Sequence, residues 1–247
     1  MCYGDDASPP PPPVRGGAGD HGDLVLESAD GTRFAAYFAH PDRPSTTGMV
    51  VLPDVRGLHQ FYKDLTVRFA EAGMHGVAID YFARTTDHTD RGEDFEFRPH
   101  VEQMHLARTN EDVGAAIAWL GALPGVDVQS VFTVGFCMGG SLSWAQSSVH
   151  DGLSGTIGFY GQPARAVDRV PKMQAPLLIL AAGQDFTPVE DVGKFAQQVR
   201  DAGLEAELHV YPDAPHSYFD RTFGDHEEAC ADSWRRIIDF VERHSRP

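Results

Sequence analysis

One short run of this sequence combines a reactive side chain with the spacing that nucleophilic catalysis requires. Cys137 lies between Gly135 and Gly139, after an apolar run typical of a β-strand and before a run compatible with a helix. A nucleophile at such a sharp turn has a strained backbone, so the residues two positions away must lack bulk. The pattern predicts a nucleophile elbow at a helix N-terminus, where the partial positive charge favours a thiolate. A buried structural cysteine is the alternative.

Two other residues follow predicted strands and could complete a catalytic triad with Cys137. Asp185 follows the predicted strand 176–181, and His216 follows the predicted strand 207–211. Because the C-terminal ends of parallel strands meet at one edge of a sheet, we expect all three side chains to lie together. The order nucleophile, acid, histidine is that of the α/β-hydrolase fold. His216 would take the thiol proton, and Asp185 would fix the tautomer of the imidazole. The alternative for Asp185 is a helix N-cap, and the alternative for His216 is a residue of a surface turn.

Acyl transfer also needs two donors aimed at the negative charge that develops on the carbonyl oxygen. The backbone N–H of Met138, directly after the predicted nucleophile, is the first candidate. The loop 53–58 follows the predicted strand 49–52 and supplies the second, which we assign to the N–H of Val55. The sequence therefore predicts an oxyanion hole beside Cys137.

The rest of the chain supplies the elements that must position these residues. An Asp-Gly pair joins the predicted strands 23–27 and 32–38 into an N-terminal hairpin. Apolar strands then alternate with helices, including a long helix predicted over 101–120. This alternation predicts an α/β fold with a mostly parallel, doubly wound sheet of about seven to eight strands and helices on both faces. Residues 21–247 are predicted to form one domain, and the Pro- and Gly-rich residues 1–20 a disordered arm.

Charge and cysteine content exclude several classes of function. Twenty basic and 36 acidic residues give a net charge of −16, which makes nucleic acid an unsuitable partner. The three cysteines, Cys2, Cys137 and Cys230, are too few and too scattered for a disulfide framework and suit a reducing cytoplasm. The sequence shows neither an apolar run of membrane-spanning length nor a secretion signal. We expect a cytoplasmic protein, a monomer or weak homodimer, with a small molecule as its substrate.

The polar segment 84–100 has no clear periodicity, so we expect either a lid over the active site or a mobile loop. His100 and His105 are five residues apart and would diverge on a helix. The sequence therefore predicts no metal site there.

Five motifs, in order along the chain, carry a resemblance to a known family. They are L-P-D-V-R-G-L from Leu52, D-Y-F-A-R ending at Arg84, G-F-C-M-G-G at Cys137, A-G-Q-D ending at Asp185, and P-H-S-Y-F-D at His216. Over about residues 20–245 the chain resembles the dienelactone hydrolases, or carboxymethylenebutenolidases, of the α/β-hydrolase superfamily. The resemblance implies a Cys-His-Asp triad that opens an enol-lactone ring without a metal or an organic cofactor.

The resemblance also implies an acidic residue beside the thiol. The family usually has a glutamate there, and the matching residue is Asp54, which is one methylene shorter. If Asp54 does not reach Cys137, His216 alone must act as the base. The alternative is a loop residue that bonds its own backbone.

Two arginines bind the substrate carboxylate in the family. Arg84 matches the first, whereas Arg221 lies one residue farther from the histidine than is usual for the second. A solvated side chain is the alternative for Arg221, and Arg56 or Arg98 could take its place. Tyr160, at the end of a central strand, is a further candidate for the pocket wall.

These observations support three hypotheses. The first is a cysteine hydrolase that opens small carboxylate-bearing enol-lactones or related esters. The second is a general short-chain carboxylesterase or thioesterase with the same triad and no carboxylate preference. The third is a non-hydrolytic redox sensor or ligand-binding protein that uses Cys137 as a peroxide-sensitive thiol.

Overall fold

The computed structural model describes residues 4–13, 16–220 and 223–246. The strands within these ranges are β1 (Ala18–Glu27), β2 (Arg33–Pro41), β3 (Thr47–Leu52), β4 (His75–Ile79), β5 (Ser130–Phe136), β6 (Gly155–Phe159), β7 (Leu177–Gln184) and β8 (Ala206–Pro215). The α-helices are α1 (Gln60–Glu71), α2 (Arg98–Glu102), α3 (Leu106–Gly121), α4 (Met138–Gln146), α5 (Val189–Asp201) and α6 (Glu227–His244). Short 3₁₀ helices span Pro163–Arg165, Val167–Lys172 and Phe223–Asp225. In the described part of the chain, no helix combines the length and the apolar character needed to cross a membrane.

The eight strands form one sheet in the order β1-β2-β4-β3-β5-β6-β7-β8. β1 pairs antiparallel with β2, and β2 pairs antiparallel with β4. All pairs from β4 through β8 are parallel. Gly31, in the turn between β1 and β2, has a φ of 82°, which glycine adopts at little cost. The topology confirms the predicted α/β-hydrolase architecture with its N-terminal hairpin.

Both faces of the sheet are covered because its central strands are apolar on both sides. Met49 and Val51 of β3 pack in a core cluster with residues of α1 and α6. Val50 and Leu52 point to the other face and pack in a cluster with residues of α3 and α4. This alternation is the two-residue period of a strand buried on both faces.

The predicted single helix over 101–120 is wrong. The chain forms α2 and α3 instead, and His105 between them is extended, with φ −113° and ψ 119°. Val101 and Met104 nevertheless pack against the same core cluster as Val113. The apolar spacing therefore continues across a break in the helix, which is why periodicity alone could not show the break.

The N-terminal segment 4–13 differs from the disordered arm predicted for residues 1–20. Several of its prolines are buried: Pro9, Pro10 and Pro12. The indole N–H of Trp234, in α6, donates a hydrogen bond of 3.0 Å to the carbonyl oxygen of Pro10. Proline rings present apolar surface and lose little conformational entropy on ordering, so the segment can pack without forming a helix or strand.

Candidate active site

The turn between β5 and α4 has the backbone of a nucleophile elbow. Cys137 has φ 55° and ψ −115°, a conformation that non-glycine residues rarely adopt. A Cβ atom on Gly135 would lie 1.9 Å from the carbonyl oxygen of Gly139. A Cβ atom on Gly139 would lie 2.1 Å from the carbonyl oxygen of Leu52, at the end of β3. Only glycine fits at both positions, and the strained turn holds Cys137 at the N-terminus of α4.

Cys137 is half-buried, and the buried Tyr81 lies near the loop after β3 that faces the elbow. The hydroxyl of Tyr81 donates a 2.9 Å hydrogen bond to the carbonyl oxygen of Pro53. Burial raises the pKa of Tyr81 well above its usual value, and electrostatic interaction with Asp54, Asp80 and Cys137 raises it further. All three groups are therefore within electrostatic reach of the same phenol.

An acid and a histidine meet at the C-terminal ends of β7 and β8. Nδ1 of His216 lies 2.9 Å from Oδ2 of Asp185, whose side chain is 3% exposed. Oδ1 of Asp185 accepts a 3.3 Å hydrogen bond from the N–H of Thr187. A carboxylate partner assigns the proton of the imidazole to Nδ1, so Nε2 is the nitrogen that can accept a proton. The N-cap position of α5 is occupied by Pro188, and the carboxylate of Asp185 is directed to the histidine instead.

Two aromatic rings contact the imidazole of His216. The ring of Tyr160 lies 4.9 Å away, and that of Phe186 lies 4.5 Å away, measured between ring centroids. Tyr160 is buried at the end of β6 with φ 37°, and its N–H donates to the carbonyl oxygen of Leu180 at 2.8 Å. The predicted pocket residue Tyr160 thus packs directly on the histidine.

The predicted oxyanion donors lie on two backbone segments that touch. Met138 begins α4, and first-turn N–H groups have no acceptor within their own helix. Gly139, the next residue, is packed so closely on the loop after β3 that an added Cβ would lie 2.2 Å from the carbonyl oxygen of Pro53. Val55, which is half-buried, lies two residues after Pro53 in that loop. The loop after β3 and the first turn of α4 therefore share one side of the elbow.

A turn centred on Asp54 shapes that loop. Asp54 is fully buried, and its Oδ1 accepts a 2.9 Å hydrogen bond from the N–H of Arg56. Its carbonyl oxygen accepts a 3.2 Å bond from the N–H of Gly57, whose φ is 76°. These bonds match the local turn role; activation of Cys137 by Asp54 stays a prediction.

Arg84, the predicted carboxylate-binding residue, is engaged by two carboxylates of the protein. Its Nη1 and Nη2 lie 2.7 and 2.9 Å from the two oxygens of Asp112, in the bidentate geometry that guanidinium groups favour. Its Nε and Nη2 lie 3.3 and 3.1 Å from the oxygens of Asp30. The side chain is 20% exposed. The structure thus ties Arg84 to α3 and to the β1–β2 turn.

The other candidate arginines are placed differently. Arg221 lies outside the described residues. Arg98 is exposed at the start of α2. Arg56 is fully buried, and its Nε and Nη2 donate to the carbonyl oxygen of Arg91 at 2.8 and 2.5 Å. Its Nη2 also lies 2.6 Å from the carboxylate of Asp5, so Arg56 joins the N-terminal segment to the loop after β3.

The segment 84–100, predicted as a lid or a mobile loop, is tied down by Arg91. This side chain is buried, lies 2.5 Å from Asp80 through Nη2, and packs over the ring of Phe95 at 4.5 Å. The ring of Phe95 stacks on His100 with centroids 5.1 Å apart. The segment is thus packed on the end of β4.

One cluster of possible metal-binding side chains occurs in the described part of the chain, and none of its members belongs to the predicted triad. It contains Glu205, Glu207 and His244. Arg243 forms ion pairs with both glutamates, so a side-chain cation already neutralises part of their charge.

Sequence reasoning missed two residues that the structure makes prominent. Phe186 is 64% exposed beside His216, and its position directly after Asp185 was the signal that could have identified it. Asp112 is buried in α3 as the partner of Arg84, and only a tertiary contact between residues 28 positions apart reveals it.

Comparisons with known proteins identify the family and the fold. A model of the dienelactone hydrolase family matches residues 34–245. A carboxymethylenebutenolidase of Rhodococcus opacus is 29% identical over 259 residues, which cover 99% of this chain and 97% of that protein. A dienelactone hydrolase-like promiscuous phosphotriesterase from metagenomic libraries has a TM-score of 0.75 at 22% identity, covering 92% of this chain and 100% of that one. The Pyrococcus furiosus esterase Pf2001 has a TM-score of 0.68 at 16% identity, covering 94% and 98%. Both structural likenesses concern the fold.

Proposed function

The chain belongs to the dienelactone hydrolase family and is a carboxylic ester hydrolase, and on that premise we propose that Cys137 is its nucleophile. The observation that carries the proposal is the 2.9 Å contact between His216 and Asp185 at the C-terminal ends of β7 and β8, which lie at the same edge of the parallel sheet as the elbow after β5. A histidine oriented by a buried carboxylate is the partner that a thiol nucleophile requires.

The reaction proceeds in two halves. Nε2 of His216 takes the thiol proton, and the sulfur of Cys137 bonds to the carbonyl carbon of the ester or lactone. The N–H groups of Met138 and Val55 stabilise the oxyanion. When the carbon–oxygen bond breaks, His216 returns the proton to the leaving oxygen and a thioester remains. Water, deprotonated by His216, then releases the acid and restores the thiol.

Asp54 provides a second contribution to thiol activation in this proposal. Its buried carboxylate lies within electrostatic reach of the Tyr81 phenol, as does Cys137. Asp54→Asn keeps an oxygen acceptor for the N–H of Arg56 while removing the charge. If Asp54 helps deprotonate the thiol, this variant lowers the rate of Cys137 alkylation without lowering the melting temperature. Equal alkylation rates in the variant and the wild type would mean that Asp54 only shapes the turn.

The substrates we propose are small lactones and esters whose recognition does not depend on Arg84. Four hydrogen bonds to Asp30 and Asp112 already occupy its guanidinium, and the net charge of −16 repels anions at long range. A carboxylate-bearing dienelactone is the second candidate, supported by the carboxymethylenebutenolidase relative. Arg84→Ala separates them, because it lowers turnover of a carboxylated lactone selectively only if Arg84 binds the carboxylate.

A turnover screen of lactones and simple esters tests the proposal. Cys137→Ala abolishes hydrolysis if Cys137 is the nucleophile, whereas undiminished hydrolysis would refute it. Cys230→Ala is the matched control, since this second thiol is buried in the core and contacts the carbonyl oxygen of Tyr218. A redox sensor would instead form a sulfenate at Cys137 and hydrolyse none of the esters.

A further inference from the structure

Phe186 is an exposed aromatic side chain in contact with the predicted catalytic base. Its side chain is 64% exposed, and its ring centroid lies 4.5 Å from that of His216. Among the residues that the structure describes, the other large hydrophobic side chain with comparable exposure is Val25, on the edge strand β1. Phe186 thus presents apolar surface to solvent at the place where a substrate must bind.

Phe186 forms one wall of an open cleft of about 520 Å³. The cleft runs between α5 and the two short helices Pro163–Arg165 and Val167–Lys172. Its walls are mostly apolar and include Pro163, Val167, Pro188 and Phe195. Its volume lies in the range typical of pockets that hold small molecules.

The charges at the rim of this cleft do not favour an anion. Lys194 lies 2.8 Å from Glu190 and 3.6 Å from Asp191, so its ammonium group is already paired. Both carboxylates are on the first turn of α5. An uncharged hydrocarbon group is therefore the occupant that matches the cleft.

We propose that this cleft binds the hydrocarbon part of the leaving alcohol and that Phe186 determines specificity for it. The inference rests on the proposed function, in which His216 returns a proton to the leaving oxygen. That oxygen must lie within hydrogen-bond distance of His216. The carbon atoms attached to it then extend along the ring of Phe186 and into the cleft, whereas the acyl part stays near the oxyanion donors on the other side of the elbow.

Acetate esters of different alcohols provide the test. Methyl, butyl and benzyl acetate all give the same acetylated Cys137, so differences in kcat/KM report binding of the ester and the steps through departure of the alcohol. Phe186→Ala is expected to lower the benzyl-to-methyl ratio of kcat/KM about tenfold, the scale of one lost aromatic contact. Phe186→Leu, which keeps an apolar side chain, should retain part of the preference. Val25→Ala is the control, because Val25 is a comparably exposed apolar side chain on the edge strand β1, and it should leave the benzyl-to-methyl ratio unchanged.

Three results would overturn the inference. The first is an unchanged benzyl-to-methyl ratio in Phe186→Ala. The second is an equal loss on all three acetates with a shifted pH profile, because Phe186 would then only position His216. The third is a loss of kcat/KM in Phe186→Ala that occurs only among methyl esters with different acyl groups. Hydrolysis that survives Cys137→Ala would refute the proposed function instead, so the two failures are distinguishable.

Discussion

Replacing Asp185 by asparagine should disable the histidine while leaving the fold unchanged. The N–H of Thr187 donates to Oδ1 of Asp185, so the amide oxygen of the replacement would keep that position and direct its NH₂ group toward His216. An NH₂ donor facing Nδ1 forces the proton of the imidazole onto Nε2. The base would then have its proton on the wrong nitrogen, a change that costs about 10⁴-fold in catalytic triads. We expect a loss of roughly 10³- to 10⁴-fold in kcat/KM, about 4–5.5 kcal/mol of transition-state stabilisation.

The assay is kcat/KM on a neutral aryl acetate near neutral pH, with thermal unfolding as a check on the fold. Asp213→Asn is the control, since it removes the same charge from an exposed position three residues before His216. We expect this control to retain nearly full activity. An Asp185→Asn variant that keeps more than a tenth of the wild-type activity would refute the reasoning.

Three other changes test the packing at the elbow, the ion pair of Arg84 and a buried histidine at the start of β4. Gly139→Ala should lower the free energy of unfolding by several kcal/mol, because the alanine Cβ would lie 2.1 Å from a backbone oxygen. Gly193→Ala is the control: this position of α5 is open, so the change should raise the free energy of unfolding by about 0.5–1 kcal/mol. Urea unfolding measures both variants. Arg84→Ala should lower the free energy of unfolding by about 2–3 kcal/mol, because the carboxylate of Asp112, which is 2% exposed, loses its bidentate partner. A melting temperature equal to that of the wild type would contradict this expectation. Burial lowers the pKa of His75, so the unfolded chain binds more protons at this site and stability falls as the pH drops below about 6.5. In His75→Gln, the free energy of unfolding should fall less than in the wild type as the pH is lowered from about 7.5 to about 6. The same fall in both proteins would show that other groups cause it.

The parts that sequence predicts well depend on local spacing. The elbow at Cys137 is predictable because two glycines must flank a strained nucleophile within a span of five residues. Asp185 and His216 follow apolar strands whose parallel pairing brings their ends together. Local pattern and topology are enough for both.

The parts that sequence predicts poorly depend on contacts between distant residues. Arg84 looks like a residue that binds a ligand until Asp30 and Asp112, 54 and 28 positions away, are seen to surround it. Composition predicts a disordered N-terminal arm because it cannot show that Trp234 offers a donor to Pro10.

The contact between Pro10 and Trp234 has a consequence for the order of folding. Residues 224 positions apart must meet, so the segment 4–13 cannot adopt its final place until α6 has formed. Asp5, in the same segment, pairs with Arg56 in the loop that carries the predicted oxyanion donor. In a variant whose other two tryptophans are replaced by phenylalanine, the ester hydrolase activity should therefore return during refolding no earlier than the fluorescence change of Trp234.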